Sequence, residues 1–390
     1  MKFNFDQEID RRGTNSYKWN VQDPDVIAMW VADMDFAVAP VITEALQRRM
    51  QHPIYGYVSV PDSFYQAAIS WFQRRHQWTM QREWMLYTSG VVPAISAIIK
   101  ALTVPGDKVL VKTPDYNCFF SSIRNNGCQI AECALKPVDD TYEVDWDNFE
   151  RMMADPAVKI FLLCNPHNPA GRVWTRDELE RMTSIAIEHD VIIVSDEIHN
   201  ELTMPGYDYV PTASISPEVQ DHTITCISPS KSFNIAGLQI ACIVTNNAEW
   251  RERIDRAINI NEVCDVNPFG VEALQAAYSP EGEAWLEELR QYLWGNYQAL
   301  TKFFKEQMPQ LPVTKLEGTY LVWVNIKATG LSSDALTERL LTEGKVWVNS
   351  GTMYGRRDGE GYIRINIACP RARMMRGLER IAQVVKGLVK

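Results

Sequence analysis

Lys231 carries the most chemistry in this chain. It stands in Ser228-Pro-Ser-Lys-Ser-Phe-Asn234, directly after the β-type run Ile224 to Ile227. Burial at a strand end lowers the pKa of an amine and keeps it nucleophilic, which suits a Schiff base with an aldehyde cofactor. A lone lysine is more often satisfied or on the surface, so its companions decide the reading. Asp196 ends the run Val191 to Ser195. A carboxylate is costly to bury unpaired; facing a pyridinium nitrogen, it would hold that nitrogen protonated and make the ring an electron sink. Taken alone, Asp196 is equally an N-cap or half of a salt bridge. Asn168, in the loop Asn165 to Gly171, offers an amide donor to a ring oxygen, although Asn-Pro is also a common turn dipeptide. Tyr116 follows another strand-like run and either stacks on a planar ring or packs at a domain interface. Gly90, Val91 and Val92 lie in a small-residue turn before the helix-like run Ala94 to Leu102. Such a turn presents backbone N–H groups to a phosphate, and Ser228 would add a hydroxyl.

These residues need elements to position them. Val109 to Lys112, Lys159 to Cys164, Val191 to Ser195 and Thr223 to Ser228 read as strands. Arg176 to Glu188 reads as a helix, with Leu179, Met182 and Ile185 at helical spacing. Continuous apolar runs separated by helices predict buried parallel strands in an α/β sheet with helices on both faces. Ligands bind at the C-terminal ends of such strands, where the informative residues fall. After about residue 280 the pattern changes. A long helix from Glu283 to Gln307 precedes strands at Thr319 to Asn325, Val346 to Val348 and Tyr362 to Asn366, and a last helix begins at Arg371. The division expected is an arm and part of a small domain over 1–45, a large domain over 46–280 and a small α+β domain over 281–390.

The bulk numbers narrow the class. At 390 residues, two domains are the default. The net charge of -10, with no Lys/Arg block, argues against nucleic acid or an anionic membrane as partner. The segment MKFNFDQEIDRRG lacks the apolar core of a signal peptide. The eight cysteines are scattered without a C-x-x-C, as in a cytoplasmic protein with reduced thiols.

Taken together, N-P-H-N-P-A-G at 165–171, S-D-E-I-H at 195–199, S-P-S-K-S-F-N at 228–234 and Y-I-R-I-N at 362–366 resemble the fold-type I pyridoxal-phosphate enzymes of the aminotransferase class I/II superfamily. The resemblance implies an α/β large domain with a mostly parallel sheet flanked by helices, plus a smaller α+β domain. It implies that Lys231 forms the Schiff base with pyridoxal 5'-phosphate and that Asp196 pairs with the pyridine nitrogen. Asn168 would contact the ring hydroxyl, Tyr116 would stack on the ring, and Arg364 would clamp the substrate α-carboxylate.

Three departures resemble the MalY/PatB branch, the cystathionine β-lyase or C–S lyase group. His199 stands where D-E-x-Y has tyrosine, which would place it near the ring. Gln239 stands where aminotransferases usually carry a phosphate-binding arginine. Trp30 to Phe36 and Ile54 to Tyr57 match that branch as well. The resemblance implies a homodimer in which Tyr57 reaches the neighbouring subunit's active site. It further implies α,β-elimination on cystathionine or a related sulfur amino acid, giving a thiol, pyruvate and ammonia. An aminotransferase would use the same residues up to the carbanion. Asp196, Glu197, His199 and Glu201 also invite a metal reading, but H-E-x-x-H is missing and a strand end points alternate side chains apart; no metal is expected. A purely binding protein on this scaffold would be expected to lack Lys231 or Asp196, and both are present. The dehydrogenase and serine-hydrolase motifs are missing. Trp30, Asp33, Tyr320 and Tyr354 are candidates to line the substrate pocket, each equally readable as packing.

Overall fold

The computed structural model describes residues 2–20, 23–260 and 266–388. Seven strands form one sheet: β1 (Met85–Thr88), β2 (Lys108–Thr113), β3 (Gln129–Ala134), β4 (Val158–Cys164), β5 (Ile192–Asp196), β6 (Thr223–Ile227) and β7 (Ala241–Val244). Their spatial order is β1-β7-β6-β5-β4-β2-β3. Only β7 runs antiparallel to its neighbours; the pairs from β6 to β3 are parallel.

Residues on these strands alternate between two cores. Leu110, Phe161, Leu163 and Ile193 enter one core with Trp174, Leu179 and Met182. Val109, Val111, Ile160, Leu162, Val194 and Ile224 enter the other, with Ile95, Ile98 and Ile99. Both faces of the sheet are therefore covered, which explains why the strands read as continuous apolar runs. The helix expected at Arg176–Glu188 forms over that span, started by a capping box between Thr175 and Glu178.

A second sheet carries β8 (Leu321–Asn325), β9 (Asn349–Ser350) and β10 (Tyr362–Asn366), in the antiparallel order β8-β10-β9. Two strand expectations shorten here. The strand expected from Thr319 begins at Leu321, because Thr319 takes a positive φ of 71°. The strand expected at Val346 to Val348 has two residues, since it pairs only with Ile27–Ala28 of the N-terminal arm. That pairing makes a separate two-stranded sheet, and the Asn366 N–H of β10 donates to Met29 O at 2.9 Å, tying the arm to the second sheet. The long helix runs Pro280–Gln307, capped by Ser279. Seven cysteines among the described residues are free thiols, six of them buried, and Cys264 lies outside those residues. No described helix is long and apolar enough to cross a membrane.

Candidate active site

Four strand ends and one helix start meet at a cavity of about 170 Å3. Register makes them meet. Cys164 at the end of β4 lies level with Asp196 on β5, and Asp196 lies level with Cys226 on β6. The period-2 alternation sends Asp196 to the same side as Val194, toward the helix Val91–Leu102. Glu197, one residue on, turns to the other side and is held by Tyr209, Ser195 and Thr212. The cavity wall includes Lys231, Asp196, Asn168, Tyr116 and His199, with Gly90, Val91 and Val92 at the helix start. Arg364 enters from β10, and its Nη1 donates to Asn168 Oδ1 at 3.0 Å. This bond orients the amide: with the oxygen engaged, its N–H pair is left to donate elsewhere.

Three charged features here are unspent. Asp196 is 3% exposed, accepts one backbone N–H from Ile198 at 3.1 Å, and has no ion-pair partner among the described residues. Burial pushes its carboxyl up to about 7, against the weaker pull of the Ile198 N–H and the Lys231 charge. Arg364 is equally buried and meets no carboxylate among the described residues. Its Nη2 donates to Trp30 O at 2.9 Å, its Nε has no acceptor among the described residues, and its guanidinium lies 4.7 Å from the Tyr354 ring. The helix Val91–Leu102 starts at Gly90 with no side-chain cap and no acidic residue in its first turn. Its leading N–H groups and its dipole are thus open to an anion.

Lys231 is partly accessible through the cavity, and its amine is otherwise enclosed. Burial lowers its pKa, opposed mainly by the charge of Asp33. The amine donates to Ala32 O at 2.7 Å, and Tyr320 Oη donates to the same oxygen at 3.0 Å. His199 lies edge-on to Tyr320 with ring centroids 6.0 Å apart, and its Nδ1 has no partner among the described residues. Burial, then the Lys231 and Arg364 cations, hold this imidazole neutral, well below its ordinary pKa.

Sequence reasoning missed several contributors. The arm segment 30–34 is a strap whose backbone meets the site at every second residue. Trp30 O takes Arg364, Ala32 O takes Lys231, and the Met34 N–H donates to Asn234 Oδ1 at 2.9 Å. The strap is anchored by Arg11 and Lys18 on Asp33 and Asp35. Asp115 is fully buried, and its carboxylate accepts the N–H of Tyr116 at 2.8 Å, fixing the start of the helix that follows. With Cys164 and His167 it forms a buried group whose ligand-type atoms lie within 4.8 Å of one another, a juxtaposition unreadable from the sequence.

Other expected residues fall elsewhere. Ser228 is 2% exposed and its hydroxyl is engaged by Ile240 O and Ser230, so Ser230 takes the place at the cavity wall. Tyr57 lies away from its own chain's cavity and is 94% exposed, beside exposed Ile54 and Tyr55. Gln239 is also exposed, and among the described residues Lys231 is the only cation lining the cavity. Of the pocket candidates, Trp30 stacks on Trp347 at 4.2 Å, Asp33 pairs with the arm, and Tyr320 and Tyr354 pack against His199 and Arg364.

Comparison with known proteins places this geometry. The chain is 39% identical to cystathionine beta-lyase PatB of Bacillus subtilis over 97% of this chain and 98% of that protein. A PLP-bound putative aminotransferase from Clostridium difficile superposes with a TM-score of 0.95 at 41% identity, covering 98% of this chain and 100% of that one. A PLP-bound C–S lyase from Staphylococcus hominis gives 0.91 at 33% identity, covering 98% and 99%. A family model for aminotransferase class I and II matches residues 24–381. With that match spanning the sheet, the strand-end cavity and β10, the chain belongs to the aminotransferase class I and II family.

Proposed function

We propose that this chain is a pyridoxal 5'-phosphate-dependent C–S β-lyase. Its substrate is L-cystathionine or a related sulfur amino acid, and its products are a thiol, pyruvate and ammonia. The observation that carries the reading is the set of three unspent groups around one cavity. Among the described residues, a buried acid has no cation partner, a buried guanidinium has no carboxylate partner, and a helix N-terminus has no acidic side chain in its first turn. A pyridinium phosphate together with an amino-acid carboxylate satisfies all three. The names of PatB and of the Staphylococcus hominis enzyme support the lyase branch.

Lys231 would hold the cofactor through its amine, Asp196 would face the ring nitrogen, and Asn168 would donate to the ring oxygen. Tyr116 and His199 would flank the ring. The N–H groups of Val91 and Val92 would take the phosphate, with Ser230 beside them in place of the family's arginine. When bound, the cofactor supplies an electron sink for the charge left at Cα. Arg364 binds the α-carboxylate with its planar fork, and Asn168 and Trp30 O fix that fork in place. The Lys231 amine, its pKa lowered by burial, takes the α-proton as general base. Asp196 holds the proton on the ring nitrogen. Ala32 O gives the amine a hydrogen-bonded position when it is free. The thiolate then leaves Cβ, and the remaining three-carbon fragment hydrolyses to pyruvate and ammonia.

Tyr57, exposed on its own chain, would complete the site of a second copy in a homodimer. The buried free thiols suit a reducing, cytoplasmic setting. The test is to supply holoenzyme with L-cystathionine and no keto acid. Sustained release of pyruvate and free thiol is expected. A single stoichiometric conversion, with turnover only after a keto acid is added, would make the chain an aminotransferase.

A further inference from the structure

The Tyr320 hydroxyl bonds an acceptor that already has a donor. The residue directly precedes β8, is 0% exposed, and its own carbonyl accepts the Ile367 N–H at 3.0 Å. Its ring packs edge-on to His199. A phenylalanine would pack in the same way without burying a hydroxyl, and a buried hydroxyl costs free energy unless it is bonded. Here Oη has one partner among the described residues, Ala32 O at 3.0 Å, and the Lys231 amine donates to that same oxygen at 2.7 Å. Burial raises the pKa of the phenol, so the hydroxyl keeps its proton and acts as the donor.

The shared oxygen is held from both sides along the chain. Asn366 Nδ2, on β10, donates to the carbonyls of Val31 and Asp33, to the second at 2.7 Å. The Lys18 amine also donates to Asp33 O, at 3.2 Å. Ala32 O is therefore a fixed point, and the two donors come to it. A carbonyl oxygen has two lone pairs and can take both. Two donors at one oxygen nevertheless bring two positive hydrogens close together, so each bond is weaker than it would be alone. A charged donor loses most, because charge-assisted bonds are the stronger kind. Whenever the lysine nitrogen is bonded elsewhere, Tyr320 still satisfies the oxygen.

We propose that Tyr320 is a positioning residue for the base: its hydroxyl shares Ala32 O with Lys231, so that the released amine is held in place without being locked as ammonium. The inference rests on the reading of Lys231 as the group that takes the α-proton, which a lyase and an aminotransferase have in common. The other groups that face the amine are Asp33 on the strap, Asp196 on β5, His199 in the turn after it, the Cys118 thiol on the helix Asn117–Asn125 and Arg364 on β10. Tyr320→Phe leaves all of them and removes one oxygen atom. Ala32 O then serves the lysine alone, the ammonium form gains, and the amine needs a higher pH to act as a base.

The amine can be read both without a substrate and with one. Attack on an aldehyde needs the unprotonated amine. Cofactor-free protein is mixed with pyridoxal 5'-phosphate, and the rate at which imine absorbance grows is followed from about pH 6 to about pH 10, a range that brackets a lowered lysine pKa. Holoenzyme is then given L-alanine in heavy water, and exchange of its Cα hydrogen for deuterium is followed by NMR over the same range. L-alanine has no leaving group on Cβ, so failure of the lyase reading leaves both measurements intact. In Tyr320→Phe the acid limb of both profiles should move up by about one pH unit, the size of a strengthened charge-assisted hydrogen bond. Tyr320→Leu, which lacks the hydroxyl and the ring, should show the same shift. A hydroxyl with only a packing role would lower the rates without moving the limb. Acid limbs that stay in place or move down would overturn the proposal. A parent enzyme whose absorbance shows L-alanine bound, but whose Cα hydrogen does not exchange, would remove Lys231 as the base and the proposal with it.

Discussion

Asp196 makes the cofactor-free protein pay for its site, and the cost can be read as a pH dependence. Its carboxyl is pushed from an ordinary 3.8 up to about 7 by burial. The folded state therefore binds this proton more tightly than the unfolded chain does. Stability from this group is fully present below pH 4 and is lost as pH rises to about 7. The gap corresponds to roughly 4 kcal/mol for a group this buried. Asp196→Asn replaces the carboxyl with an amide that does not titrate. Urea unfolding of the cofactor-free proteins, followed by tryptophan fluorescence from pH 4 to pH 8, isolates the effect in the difference between the two. Other buried groups titrate in both proteins and cancel. The variant should gain on the parent steadily as pH rises, by up to about 4 kcal/mol at pH 8. Loading the parent with pyridoxal phosphate should flatten its own slope, because a ring cation then answers the carboxylate. A difference that does not change between pH 4 and pH 8 would refute the claim that Asp196 is an unanswered acid.

Lys231→Ala should abolish turnover, since it removes both the attachment point and the base; near-native activity would end the mechanism. Arg364→Gln should lower kcat/KM roughly 30- to 5,000-fold, chiefly through KM, as truncating one half of a buried charge pair costs about 2–5 kcal/mol. Steady-state kinetics on the sulfur amino acid checks this, and an unchanged KM would take the carboxylate away from Arg364. Tyr57→Ala should leave folding intact, because the side chain is 94% exposed, but should lose most activity. Mixing that protein with Lys231→Ala protein under subunit exchange should restore part of the activity, since hybrid dimers contain one site with both residues. No recovery in a mixture shown to hold hybrids would remove Tyr57 from the neighbouring site.

Position was legible locally where a polar residue ends or closely follows a buried strand. Asp196, Asn168 and Lys231 each follow an apolar run, and alternation along the strand tells which face the side chain takes. The helix at Arg176–Glu188 was legible because its cap, its acidic first turn and its apolar spacing all lie within a few residues. Ser228 went otherwise, because two serines two residues apart can exchange places at a wall, and only the return of Ile240 toward Ser228 separates them.

The sequence alone therefore determined the chemistry on offer: an amine, an acid and an amide at or just after the ends of β-type runs, and a guanidinium within one, in an order that marks the family. Only the tertiary structure decided how they meet. Arg364 reaches Asn168 across 196 positions, and Ala32 O reaches Lys231 across 199. Such contacts leave no local pattern, because periodicity reports which face of an element is buried but not which other element covers it.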